Sequence, residues 1–274
     1  MSEFKSVWSY HSFAHRIIRR NRYIRDSETD EFLMTLRESA RFREEARLAK
    51  DSGFWRAQIG NDWREILDED GHCIDHEPCP FSRKRMKPLP DQAREGRANP
   101  KGIPYLYGAN KKETALAEVR PWLGQFISLA FFVVHRDMRL MSFVTEDPKQ
   151  RIYLTEPEPK EREMAVWADI DRTFAKPVTL NDETAEYVPT QVIAELFKTE
   201  GFDGIAYRSA FGGGYNIALF DLDSADLVGC TLYALKDIKH EFHEAGPGYS
   251  VVERGEDRAD NNAMQPIADK SGSG

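Results

Sequence analysis

Three residues in the middle of the chain have the types and spacing of a site for a negatively charged ligand that carries a ring. Arg97 lies in the turn Gly-Arg-Ala-Asn-Pro-Lys-Gly, Tyr107 ends a predicted aromatic strand at 103–107, and Glu118 follows on a predicted helix. A guanidinium matches phosphate oxygens, and a tyrosine ring can stack on another ring. We expect the three side chains to converge on one pocket, although ordinary ion pairs and helix charges explain such a set at least as well.

A second candidate is Ser209, which follows the predicted strand 205–207 and precedes the glycine run 212–214. This position places a hydroxyl and exposed backbone N–H groups where an anion could bind. A hairpin with a capping serine explains the same pattern. Because Gly-x-Ser-x-Gly is absent, the pattern does not indicate a nucleophile elbow.

Four potential metal ligands, His72, Cys73, His76 and Cys79, fall within eight residues. Structural zinc sites usually combine two neighbouring ligands with two from a distant segment. The sequence contains no obvious second pair. We therefore predict no bound metal and interpret these side chains as part of a solvated loop.

The patterns of apolar residues predict an α+β fold. Continuous apolar, partly β-branched runs predict buried strands at 126–134 and 216–220, and a third strand is expected at 205–207. Apolar residues at helical spacing predict helices at 161–174 and 190–198. Strands and helices of this kind suit a sheet core with flanking helices.

The chain is expected to divide into three parts. Residues 1–50 carry helical patterns and form a helical N-terminal extension. Residues 51–240 form the catalytic domain, with a polar, proline-rich insert loop at about 64–92 that could border the site. Residues 241–274 lack periodicity, which predicts a disordered tail.

The composition disfavours nucleic-acid and membrane proteins. Asp and Glu outnumber Lys and Arg by 46 to 38, a formal net charge of −8, whereas phosphate backbones are bound by positive surfaces. The three cysteines do not make a disulfide framework. The longest apolar run, 127–134, is too short to span a bilayer, and the N-terminus lacks a signal-peptide core. We expect a cytoplasmic protein with no direct nucleic-acid or membrane partner.

Taken in order, short motifs along the chain resemble the RES-domain family, which is named for an Arg, a Glu and a Ser. The matching segments are Trp55-Arg56, Gly96 to Gly102, Leu106-Tyr107, Ala115 to Glu118, Gly201 to Ser209 and Asn216 to Phe220. The chain departs from the family pattern at Gln58 and Ala98, where the family often carries Arg and Trp. The family comprises bacterial toxins of Xre–RES toxin–antitoxin pairs. The resemblance therefore implies an ADP-ribosyltransferase-like fold, with a mixed or antiparallel sheet, that consumes NAD.

The resemblance also implies a site and a reaction, cleavage of the nicotinamide–ribose bond of NAD. Glu118 would balance the positive charge of an oxocarbenium-like ribose, and Arg56 and Arg97 would hold the pyrophosphate or an attacking phosphate. Tyr107 would wall the nicotinamide site. The implied catalytic residues are Arg56, Glu118 and Ser209, and the implied substrate-binding residues are Arg97, Tyr107 and Asn216.

No cofactor is expected, because NAD is the substrate and inorganic phosphate a possible co-substrate. The implied partner is a small Xre-type antitoxin, and a homodimer is left open. Two alternatives remain at this stage. One is ADP-ribosyl transfer to a protein or small molecule from the same pocket. The other is a non-enzymatic module whose basic segment, Arg16 to Arg25, contacts nucleic acid or a partner.

Overall fold

The structure is a computed structural model, and it describes residues 3–43, 45–89, 93–145, 153–176, 184–239 and residue 246. The chain divides into two compact units, Met1–Ile238 and Lys239–Gly274. The second unit lies almost wholly outside the described residues, as does the predicted disordered tail at 241–274.

The described residues form ten strands, eight of them in one mixed sheet. In chain order they are β1 (Ala46–Leu48), β2 (Gly53–Ile59), β3 (Asp62–Leu67), β4 (Cys73–Cys79), β5 (Leu106–Ala109), β6 (Phe126–Val134), β7 (Met138–Ser142), β8 (Gly204–Arg208), β9 (Tyr215–Leu219) and β10 (Ala225–Ala234). The spatial order in the sheet is β1-β7-β8-β9-β5-β2-β6-β10, and β3 and β4 form a separate hairpin. β7 and β8 are parallel, while the other neighbouring strands are antiparallel.

Six α-helices flank the strands in the described part of the chain. They are α1 (Ser9–Arg19), α2 (Ser27–Ala40), α3 (Arg83–Met86), α4 (Lys112–Glu118), α5 (Pro159–Ala175) and α6 (Val188–Thr199). α1, α2, α5 and α6 bury their apolar sides in one core with Phe143 and Tyr207 of the sheet side. The predicted α+β class, with a mixed sheet and flanking helices, is confirmed. Within the described residues, every helix is too short or too polar to cross a bilayer.

The sheet is strongly curled. β1 and β2 are five strand spacings apart, about 24 Å in a flat sheet. The five residue-to-residue steps from Leu48 to Gly53 can span at most about 18 Å. The halves of the sheet must therefore approach each other, and Leu48 and Leu140 of one half share a buried core with Phe54 and Phe132 of the other.

Two sequence-based expectations are wrong in detail. The segment at 46–48, expected to be helical, is strand β1, paired with β7. The insert at about 64–92 is not irregular, because most of it forms β3, β4 and α3. Every residue of β3 is exposed, so neither face of this strand carries the apolar alternation by which strands are predicted.

Candidate functional site

Four neighbouring strands and one helix form a cleft on the face of the sheet that α4 covers. Arg56 of β2, Tyr107 of β5, Tyr207 of β8 and Asn216 of β9 line it together with Glu118 at the end of α4, and its volume is about 170 Å³. The strands lie in the order β8-β9-β5-β2. Because side chains alternate between the two faces of a strand, the register of β8, β9 and β5 points Tyr207, Asn216 and Tyr107 to the same side. Three separated segments of the chain therefore meet here.

The Glu118 carboxylate is held from one side only. Its Oε1 accepts a hydrogen bond from the Ser209 hydroxyl at 2.6 Å and another from the Asn216 side-chain nitrogen at 2.7 Å. Within the described part of the chain, its second oxygen, Oε2, has no hydrogen-bond partner. The two donors fix the orientation of the carboxylate and leave one oxygen available to a ligand in the cleft.

Arg56 is a half-buried cation at the junction of β2 and β5. These strands share one bridge, Trp55 with Ala109, and beyond it the guanidinium donates to the backbone carbonyls of Met86 at 2.9 Å and Tyr107 at 2.8 Å. Burial lowers the pKa of Arg56 to about 10, so the group remains protonated at neutral pH. Its bonds use Nε and Nη1, and Nη2 has no hydrogen-bond partner among the described residues.

Tyr107 contributes to two neighbouring regions. Its ring belongs to the cleft, and its hydroxyl bonds to the adjacent loop at residues 93–105. The ring lines the cleft, while the hydroxyl donates to Asn99 Oδ1 at 2.7 Å and accepts from the Ala98 backbone N–H at 3.0 Å. Gly96 approaches so closely that a Cβ there would lie 2.8 Å from the hydroxyl oxygen. Burial raises the pKa of Tyr107 above its ordinary value, so the hydroxyl stays neutral.

Arg97 does not line the cleft, contrary to the expected convergence with Tyr107 and Glu118. Its guanidinium donates to the Thr173 carbonyl at 2.8 Å and lies over the Tyr187 ring. Thr173 is in the last turn of α5, where unpaired carbonyls attract cations, and this explains the different direction of the side chain. A phosphate-binding role for Arg97 stays a prediction.

The cleft also contains Tyr207, which sequence reasoning missed. Burial, and after it the nearby Tyr107 and Glu118, raise the pKa of Tyr207, while the positive charge of Arg97 opposes the shift. In the described part of the chain, its hydroxyl has no hydrogen-bond partner although the side chain lines the cleft. Its position two residues before Ser209 on the same strand face was the signal that could have identified it.

Ser209 lies behind Glu118, at the end of β8. Its oxygen also accepts from the Phe211 backbone N–H at 3.1 Å. The following glycine turn packs against the start of α4, because a Cβ at Gly214 would lie 2.5 Å from Asn110 Oδ1 and 2.6 Å from Thr114 Oγ1. Ser209 is thus bonded to the carboxylate and positions it.

A larger groove, about 230 Å³, lies between α1 and α2. Its cations are paired with acids: Lys5 with Glu31, and Arg16 with Asp26 and Glu28. Among the described residues that line the cleft, by contrast, Glu118 and Arg56 each keep one side-chain atom without a hydrogen-bond partner. The cleft is therefore the better candidate for a site that acts on a charged ligand.

Comparison with known proteins gives one family. A chain of the crystal structure of the M. tuberculosis MbcT–MbcA toxin–antitoxin complex is similar at 13% identity, over 72% of this chain and 91% of that chain, with a TM-score of 0.39. The sequence has no significant match among curated proteins. The family model described as RES domain matches residues 76–237, which include Glu118, Ser209 and Asn216 and begin after Arg56. Because this match covers more than half of the 274 residues, the chain belongs to the RES-domain family.

Proposed function

We propose that the chain cleaves the bond between nicotinamide and ribose in NAD. The observation that carries the proposal is the Glu118 carboxylate, held by Ser209 and Asn216 through one oxygen, in the same cleft as Arg56. NAD presents a cationic nicotinamide–ribose end and an anionic pyrophosphate. A cleft with one carboxylate and one guanidinium complements both charges.

The size of the cleft agrees with binding of one end of the dinucleotide. Pockets that enclose a drug-sized ligand measure about 300–1,000 Å³, whereas this cleft measures about 170 Å³. The nicotinamide and its ribose would occupy the cleft, and the remainder would lie outside it. The rings of Trp55, Tyr107 and Tyr207 line the cleft and supply the flat apolar surface that a nicotinamide ring needs.

The proposed reaction needs charge stabilisation rather than acid catalysis. The C–N glycosidic bond breaks, both of its electrons go to the nicotinamide nitrogen, and nicotinamide leaves as a neutral molecule. The ribose C1′ becomes oxocarbenium-like, and Glu118 stabilises that positive charge. An oxygen of inorganic phosphate then bonds to C1′ and gives ADP-ribose 1″-phosphate. If water attacks instead, the products are ADP-ribose and a proton.

Each remaining site residue has a distinct part in the proposal. Arg56 orients the pyrophosphate or the attacking phosphate. Ser209 and Asn216 position Glu118, because both donate to the same carboxylate oxygen. Tyr107 walls the nicotinamide site with its ring only, since its hydroxyl is bonded to Asn99.

Purified protein incubated with NAD, with and without phosphate, tests the proposal by the release of nicotinamide. We expect NAD loss, and Glu118→Gln should lower the rate by at least about 100-fold, as removal of a stabilising group in an active site does. Glu113→Gln is the matched control, because Glu113 is exposed in the first turn of the same helix and should keep the wild-type rate.

Absence of NAD loss in protein that mass spectrometry finds free of a co-purified partner would refute the proposal. A Glu118→Gln rate within a few-fold of wild type would refute the assigned role. Phosphate dependence separates phosphorolysis from hydrolysis. NAD labelled in its ADP-ribose part tests the alternative, because label on a protein band would indicate ADP-ribosyl transfer.

The cellular role proposed with this activity is that of a toxin with an antitoxin partner. It rests on the family and on the inferred loss of NAD. Expression of the wild-type chain in a bacterial host should arrest growth, whereas Glu118→Gln should not. Equal growth arrest by both chains at equal expression would separate the toxicity from the proposed chemistry.

A further inference from the structure

The β3–β4 hairpin carries three metal-ligating side chains at one place. The ligand atoms of Glu65 on β3 and of Cys73 and His76 on β4 all lie within 4.8 Å of one another. We propose that this cluster binds Zn²⁺ or a similar divalent transition metal. The site is separate from the NAD cleft, and the proposal does not depend on NAD chemistry.

A β-bulge brings the three side chains to one face. Residues three apart on a regular strand point to opposite faces, which would separate Cys73 from His76. The register shifts between Ile66 and Leu67, since Ile66 pairs with Asp75 but Leu67 with Cys73. The shift leaves one extra, unpaired residue on β4, which returns the Cys73 side chain to the face of His76. Cys73 Sγ lies 3.9 Å from His76 Nε2. Glu65 is the direct partner of His76 on the other strand.

The chemical types of the donors point to zinc. Thiolate, imidazole and carboxylate are the three protein ligands of Zn²⁺, and together they suit zinc better than magnesium or calcium, which prefer oxygen ligands only. Tetrahedral zinc with bonds of about 2.0–2.3 Å requires a small inward movement of these side chains. All three are exposed, so they are free to move and a water can complete the coordination.

The linear spacing suggested four ligands, but only part of that set meets in space. Cys79 lies six residues from Cys73 on the same strand, about 20 Å away at 3.3 Å per residue, and it pairs with Asp62. His72 lies 3.6 Å from Asp68 at the turn. The prediction of no metal rested on the lack of distant ligands. The hairpin supplies one, Glu65, from the opposite strand.

A metal at this position would cross-link the two strands of the hairpin. Two-stranded hairpins are marginally stable in water without further packing, and every residue of β3 is exposed. An ion held by Glu65 on one strand and by Cys73 and His76 on the other would fix the register at the bulge. The expected consequence is protection of residues 62–79 against proteolysis when metal is bound.

Titration of the full-length, tag-free, reduced protein with Co²⁺ tests the site. We expect one Co²⁺ per chain with a thiolate-to-cobalt charge-transfer band, displacement of that band by Zn²⁺, and release of the thiol proton on binding. Cys73→Ser should abolish the band. His76→Ala and Glu65→Gln should each weaken binding by at least about tenfold, since even the loss of outer-shell partners costs about 10–100-fold in metal affinity.

Cys79→Ser is the matched control, because it removes a thiol from the same strand outside the cluster. It should keep the wild-type band and affinity. The proposal is overturned if the wild-type chain binds no stoichiometric Co²⁺, or if Cys79→Ser abolishes the band as fully as Cys73→Ser. Circular dichroism of each variant checks that the fold is kept, and NAD turnover of Cys73→Ser should equal that of wild type under metal-free conditions.

Discussion

The cleft and the loop at residues 93–105 are joined by Tyr107, yet they use their polar groups differently. In the loop, Asn99 donates to the carbonyls of Arg94, Pro100 and Ile103 and accepts from Tyr107. In the cleft, Glu118 and Arg56 each retain an atom that has no hydrogen-bond partner among the described residues. Internally paired groups stabilise a fold, whereas oriented but unpaired groups can bind a ligand. The difference separates residues that support the site from residues that form it.

Substitution of the two arginines is the strongest test of this difference. Arg56→Lys keeps the charge but loses the fork that reaches Met86 and Tyr107. We expect NAD turnover to fall about 100-fold. Arg97→Lys should lower turnover only a few-fold, because that guanidinium contacts α5 and not the cleft. Steady-state kinetics of both variants measure the effect.

The melting temperature of each variant serves as the control, since both arginines also hold backbone carbonyls. If the two variants lose similar amounts of stability but Arg56→Lys loses far more turnover, the result supports the distinction between the cleft and the loop. If Arg97→Lys lost as much turnover as Arg56→Lys, the loop would belong to the ligand site, and the prediction from sequence that Arg97 binds phosphate would gain support.

Asn99 tests the loop side of the comparison. The residue is 3% exposed, and Asn99→Ala would remove the amide hydrogen bonds to the carbonyls of Arg94 and Ile103 and the acceptor of the Tyr107 hydroxyl proton. We expect a loss of about 2 kcal/mol in the free energy of unfolding, within the range for unpaired buried polar groups. Urea unfolding measures it. Turnover of the folded fraction should stay within a few-fold of wild type, and a selective loss of turnover without loss of stability would contradict a supporting role.

Buried elements were predictable from sequence because burial imposes a regular pattern on them. β6 covers the predicted 126–134, and α5 and α6 extend the predicted helices by no more than two residues at either end. Long-range pairing was not predictable from local patterns. Ser209 and Glu118 are 91 residues apart in the chain, and only the order of motifs in a family pattern suggested that they meet.

Two features escaped prediction for physical reasons. The carbonyl that attracts Arg97 lies 76 residues away, at the end of helix α5, and nothing near Arg97 in the sequence indicates it. The β3–β4 hairpin is exposed over most of its length, so burial imposes no regular alternation of apolar and polar residues on its strands. Its bulge, which brings Cys73 to His76, depends on the register of the two strands rather than on residue type.

The smallest expected effect distinguishes two tyrosines whose rings line the same cleft. Tyr107→Phe removes a hydroxyl that is bonded to Asn99 and Ala98, and should cost about 1 kcal/mol in the free energy of unfolding with little change in turnover. Tyr207→Phe removes a hydroxyl that makes no hydrogen bond to the described residues. It should leave stability unchanged and raise KM for NAD a few-fold, because a hydroxyl without a protein partner in a cleft can bond only to ligand or water.

Each tyrosine variant is the control for the other, since the substitution is the same and both rings remain. Urea unfolding and steady-state kinetics give the free energy of unfolding and the KM for NAD of each variant. An unfolding free energy lowered in Tyr207→Phe, or a KM raised only in Tyr107→Phe, would reverse the assignment. The Tyr107 hydroxyl would then bind the ligand, and the Tyr207 hydroxyl would stabilise the fold.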